Sequence, residues 1–297
     1  MGKAKLKNLI LLLLVVTNGL LVWLAMPLID QEQSQQEQAG AQLERLFETY
    51  GVEYDGEVMP EAQTLYMVEL TMDGSDELAL AQSILGGSME LDPESSQQTQ
   101  IYVSDVGVFT SSRDSSFSVQ YTAQPSTTQM EAVVADQLRA MGLVGEIASP
   151  VRQETGEYVV TVTQNLFYVP YFSSQLDFYF KDGVLYQCVG NGILGRTDEG
   201  GGVVSGDTSF TRPDDTVCMG YVDALVAFFA SRNDLAWIGS SINQVSQGFL
   251  RADMASVTVL RLTPGWKIAT DTGDFWVNGI TGVVESISTS DNFVADL

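Results

Sequence analysis

The side chains able to do chemistry in this chain are nearly all carboxylates. Its 297 residues hold 38 Asp and Glu against 14 Lys and Arg, with two Cys and no His. Without histidine there is no Ser-His-Asp triad, no Cys-His pair and no imidazole base, and two cysteines fall short of a Cys₄ zinc site. Asp271-Thr272-Gly273 copies the triplet of aspartic proteases, where two carboxylates share a proton. Such a turn needs apolar residues before the Asp and a second triplet. Here Thr270 precedes it and the nearest counterpart is Lys181-Asp182-Gly183, so the triplet reads as a polar hairpin turn. Asp73, Asp76, Glu77 and Asp198, Glu199 carry the hard oxygens that Ca²⁺ prefers, but without a ligand-loop spacing, and read as solvated acidic loops. No spacing selects a carboxylate pair for glycoside cleavage. Gly200-Gly201-Gly202 has no lysine after it and no GxxxxGK[ST] pattern, so the stretch Gly195 to Asp215 reads as a flexible connector rather than a phosphate cradle. Accordingly no catalytic residue, metal ligand or cofactor is expected.

The net charge of −24 repels nucleic-acid phosphates and favours basic partners. Cys188 ends one strand-like run and Cys218 opens a helical one. Oxidised, they would close a loop of about 30 residues, worth roughly 3 to 4 kcal/mol in the chain-entropy account. In a reducing niche they would stay as buried thiols.

The elements that must position these residues begin with an anchor. Lys3, Lys5 and Lys7 precede a charge-free run from Leu9 to Ile29, and the first acidic residue is Asp30. At 1.5 Å per residue the run spans about 30 Å, one bilayer, with the basic end inside the cell. A cleavable signal peptide shares the basic start, but the run is longer than a signal core and Ala25 has no small residue two places before it. Thr17, Asn18 and Gly19 put an amide beside a bare backbone within the span. That pairing suits helix packing against a membrane partner, or else Asn18 bonds locally and Gly19 is merely tolerated.

Beyond the membrane the patterns predict an α+β fold of tandem modules, each a helix packed on an antiparallel sheet. Residues 1–8 form the cytoplasmic start and 9–29 the transmembrane helix. A first module over 30–124 has a helix over 31–50, a strand at Thr64 to Met72, a helix at Ser75 to Leu85, and strands at Gln100 to Ser111 and Ser116 to Ala123. Two copies of a helix-plus-sheet repeat are expected over 125–212 and 213–297, at a period of about 85 to 90 residues. The first has a helix from Thr128 to Met141 stopped by Gly142, strands at about Gly145 to Arg152, Tyr158 to Phe167, Gln175 to Lys181 and Val184 to Val189, and a hairpin at Asp182-Gly183 between the last two. The second has a helix from Val217 to Ala230 and strands at Val245 to Arg251, Val257 to Leu262, Trp266 to Thr270, Phe275 to Asn278 and Val283 to Ile287.

The run LERLFETYGVEYDGEVMP, then LALAQSILGG, IYVSDVGVFTSS and SFSVQY, resembles the YycH/YycI regulatory proteins of Gram-positive bacteria, closest to the YycI-like members. The ending is similar too: Pro264, Trp266, Trp276, Asn278 and Gly282 match the closing hairpin of that family, which also occurs in PepSY-like domains. Phe275-Trp276 stands where aromatics are usual, and Gly279 replaces a common Ala. The resemblance implies a non-enzymatic, single-pass protein of a Gram-positive type envelope, with its C-terminal part extracellular. It further implies binding to a sensor histidine kinase of the WalK type, with a paralogous YycH-like protein as a second partner. The family carries over no catalytic or ligand residues.

Overall fold

The computed structural model describes residues 43–54, 62–71, 77–192 without 97, 113–115 and 123, and 209–287 without 213–214, 236 and 253–258. The expected membrane helix over 9–29, with Thr17, Asn18 and Gly19, lies outside these residues. No described helix is long and apolar enough to cross a membrane. The chain divides into compact units Met1–Tyr54 and Asp55–Leu297.

In the first unit, helix α1 covers 43–50 and strand β1 is Glu53–Tyr54. Gly51 takes φ +62°, and Val52 N–H donates to the Phe47 carbonyl at 3.1 Å, which turns the chain back on the helix. Phe47 and Tyr54 then stack with ring centroids 5.6 Å apart.

The second unit is mostly antiparallel sheet. Its elements begin with β2 (Val68–Thr71), α2 (Glu77–Leu85), β3 (Glu90–Leu91), β4 (Thr99–Ser104), β5 (Gly107–Ser112), β6 (Ser116–Tyr121) and α3 (Met130–Met141). They continue with β7 (Gly145–Ile147), β8 (Val151–Arg152), β9 (Tyr158–Leu166), β10 (Val169–Pro170), β11 (Gln175–Lys181), β12 (Val184–Asn191) and β13 (Ser209–Thr211). Last come α4 (Tyr221–Ala230), β14 (Ser241–Arg251), β15 (Val259–Thr270), β16 (Gly273–Asn278) and β17 (Val284–Ile287). Three stretches share one order, a helix followed by a four-stranded meander: α2 with β3-β4-β5-β6, α3 with β7-β9-β11-β12, and α4 with β14-β15-β16-β17. The sequence predicts a helix followed by an antiparallel sheet twice, with four strands and then five; the fifth is absorbed because two predicted runs are one strand, and α2 with β3–β6 has the same order as well. β6 pairs with β12, which joins the first two meanders into one ten-stranded sheet, so the position 124/125 falls between elements of a single sheet. The third meander forms a smaller sheet in which β2 also pairs β15, and β13 pairs β2.

Burial explains the larger sheet. Along β5, β6, β9 and β11 buried and half-buried residues largely alternate, the signature of a sheet covered on one face. Phe109, Phe117, Val119, Val160, Leu176 and Phe178 point to the covered face, where Ala81 and Ile84 of α2 and Val134, Leu138 and Met141 of α3 meet them. Gly142 caps α3 with φ +68°, as expected. Asp182 and Gly183, at φ +51° and +77°, make the β11–β12 turn. The expected strand from Gln100 to Ser111 is two strands, β4 and β5, separated by a turn at Asp105-Val106.

The central stretch of the smaller sheet is buried on both faces. Thr263 to Trp266, Gln247 to Phe249 and Phe275 to Val277 are continuous buried runs. On one face α4 places Tyr221 against Trp266 and Phe228 against Phe275. On the other, Phe172 meets Trp276 edge-on at 5.9 Å above the paired glycines Gly248 and Gly265. A Cβ on Gly248 would come within 2.6 Å of the Phe172 ring. The two runs expected at Val257 to Leu262 and Trp266 to Thr270 are one strand, β15, through Pro264. The Pro264 carbonyl accepts from Gly279 N–H at 2.9 Å, so its nitrogen faces the joint between the start of β2 at Val68 and the end of β16 at Asn278, and no strand needs its missing hydrogen. α4 starts at Tyr221 rather than Val217 because Val217 bridges Tyr66 and the Cys218 and Met219 N–H groups are spent on Leu65 and Gly279 carbonyls.

Candidate functional site

Two regions carry the residues of interest: the closing hairpin of the smaller sheet and the open face of the larger one. The hairpin gathers all five residues singled out in the sequence, and each has a packing role. Trp266 is fully buried, and its indole N–H donates to the Met219 carbonyl at 2.8 Å. Trp276 fills the opposite face against Phe172. Pro264 sits at the strand joint. The Asn278 side-chain oxygen accepts from Ile280 and Thr281 N–H, both at 3.0 Å, and Gly282 at φ +73° closes the loop with its N–H on the Asn278 carbonyl. Gly279 is explained by its surroundings, since a Cβ there would overlap Cys218 Sγ and reach within 2.7 Å of the Pro264 carbonyl.

Cys188 and Cys218 are both buried and free. Cys188 lies in the core beneath α2 and α3, between Phe178 and Val119, whereas Cys218 lies under Gly279 in the smaller sheet. Burial raises both thiols, Cys188 well above the usual value. Asp271-Thr272 is the turn between β15 and β16. The Asp271 carboxylate accepts from Ser240 N–H at 2.8 Å and from its hydroxyl at 3.0 Å, and the backbone bond holds that carboxyl below the ordinary range. This is a turn clasp onto Ser240. Of the acidic loops, Asp73, Asp76, Asp198 and Glu199 lie outside the described residues. Among the described residues no group of three or more Cys, Asp and Glu is placed to hold a metal ion.

The open face was not legible in the sequence. Pairing aligns Thr161, Asp177, Val189 and Ser118 in one row across β9, β11, β12 and β6, with Tyr179 and Gln187 in the next. All six are turned away from the core that holds Phe178, Cys188 and Val160. A register shift opposite Tyr179 and Phe180 leaves Tyr186 as an extra residue on β12 and turns it to the same face. Its ring lies 6.3 Å from that of Tyr179, and its hydroxyl donates to Glu157 at 3.1 Å. Lys181 reaches the same carboxylate at 3.9 Å. Asp177 accepts from the Thr161 hydroxyl at 2.7 Å and the Gln175 amide at 2.9 Å. Burial, with Glu157 and Asp177 nearby, raises both phenols, which stay neutral at physiological pH. Alternation in Gln175 to Lys181 marks which residues face outward, but nothing in the sequence signals the bulge that pairs the two tyrosines. The sequence matches no protein-family model and no curated protein.

Proposed function

We propose that this chain is a membrane-anchored accessory regulator that binds a sensor histidine kinase of the WalK type and adjusts its output toward cell-wall homeostasis. In this reading residues 9–29 span the membrane once, with Thr17, Asn18 and Gly19 against the kinase's membrane helices. The part after Asp30 lies outside the cell and contacts the kinase or a YycH-like paralogue. The observation that carries the reading is the division of labour among the described residues: the motif residues of the closing hairpin are absorbed by packing and turn bonds, while one face of the larger sheet is turned away from α2, α3 and the core they cover. A scaffold that spends its distinctive residues on rigidity and leaves a sheet face open suits binding better than turnover.

The test is crosslinking of the full-length protein in its own membranes, followed by mass spectrometry of what it holds. A histidine kinase is expected, with recovery falling in Asn18→Leu and Gly19→Leu variants. Recovery of a secreted protease or of wall fragments without a kinase would favour a PepSY-like inhibitor or a carboxylate-dependent hydrolase instead.

A further inference from the structure

We propose that the open face of the ten-stranded sheet docks an extended basic segment of a partner protein, with Lys or Arg side chains at alternate positions seated on Tyr179 and Tyr186 between Glu157 and Asp177. Charge points to this occupant. Described residues 78–191, which build the larger sheet and its helices, hold eleven acidic and three basic side chains, and two of the three are already paired, Arg139 with Asp136 and Lys181 with Glu157. Described residues 62–71 and 209–287, which build the smaller sheet, hold seven acidic and five basic. Among the described residues the excess of carboxylates is therefore greater around the larger sheet.

Geometry narrows the chemistry. Two partly exposed phenol rings 6.3 Å apart, held by a bulge and a hydrogen bond to Glu157, offer π faces beside carboxylates, the combination that attracts guanidinium and ammonium groups. Asp177 stands two residues from Tyr179 on the same strand face, roughly 7 Å away, which is the repeat of alternate side chains in an extended chain. Ser118, Thr161 and Gln187 around them supply neutral hydrogen-bonding groups, Val159 and Val189 lie between them, and the carboxylates would repel a phosphate. The inference goes beyond the regulator reading and does not require the partner to be a kinase.

The test uses the full-length protein in detergent micelles and a fluorescent 12-residue peptide of alternating Arg and Thr, read by anisotropy. A version with citrulline for Arg and a neutral chitin oligosaccharide serve as comparison probes. The Arg peptide should bind at least about tenfold more tightly than the citrulline one. The double variant Tyr179→Ala, Tyr186→Ala should lose about tenfold, while Tyr179→Phe, Tyr186→Phe keeps binding because the rings remain. Neutralising the exposed α3 pair with Glu131→Gln and Asp136→Asn should change it less than about twofold. Unchanged melting of each variant secures the comparison. Equal losses from the α3 pair would reduce the effect to diffuse charge and overturn the proposal. So would undiminished binding in the alanine double variant, or preference for the citrulline peptide or the oligosaccharide.

Discussion

The ten-stranded sheet and the smaller closing sheet use the same helix-and-meander order but bury it differently. In the larger, α2 and α3 cover one face and the strands alternate. In the smaller, α4 covers one face and Phe172 with Trp276 fills part of the other, so Thr263 to Trp266, Gln247 to Phe249 and Phe275 to Val277 are buried without alternation. The larger sheet therefore leaves one face turned away from its helices, while the centre of the smaller packs on both faces. The difference teaches that a repeated topology does not imply a repeated role.

The comparison is open to direct attack by paired substitutions across each sheet. Trp266→Ala and Trp276→Ala empty opposite faces of the smaller sheet, and each should cost about 3 to 5 kcal/mol in urea unfolding. Phe178→Ala should cost as much, but its neighbour Tyr179→Ala on the open face less than about 1 kcal/mol. A large loss at Tyr179 would mean that the face is covered after all. A smaller effect sharpens the packing account of the closing hairpin. Gly279→Ala forces a methyl group onto Cys218 Sγ and should destabilise by about 1 to 3 kcal/mol, with partial recovery when Cys218→Ala is added. Asn278→Ala leaves the Ile280 and Thr281 N–H groups to water and should cost about 1 kcal/mol.

The least effect is expected from Asp271. Its folded-state carboxyl is depressed by the Ser240 bonds, so its stabilisation is complete above the unfolded carboxylate value of about 4 and is lost as pH falls through the folded one. Melting temperatures followed from pH 6 to pH 3 should therefore fall slightly more steeply for the parent chain than for Asp271→Asn.

Strands with one buried face announced themselves: β11 was legible from Gln175 to Lys181, and the Asp182-Gly183 turn and the Gly142 cap stand where local chemistry put them. What was lost was non-local. Pro264 reads as a strand breaker unless one knows that its nitrogen faces a joint between two partners. The pairing of β6 with β12 links residues too far apart for any window of sequence to show. The Tyr179–Tyr186 pair depends on a one-residue bulge that no residue type demanded. The hairpin residues were legible as a motif, but their role in packing emerged only with Phe172 and Cys218 in place beside them.

The most direct measurement places a photo-crosslinking amino acid in the full-length protein, in its own membranes, at Ser118 on the open face or at Val226 on the exposed side of α4. An adduct with a partner protein from position 118 and none from 226 is the predicted result. Adducts from 226 alone would contradict the assignment of contact to the larger sheet.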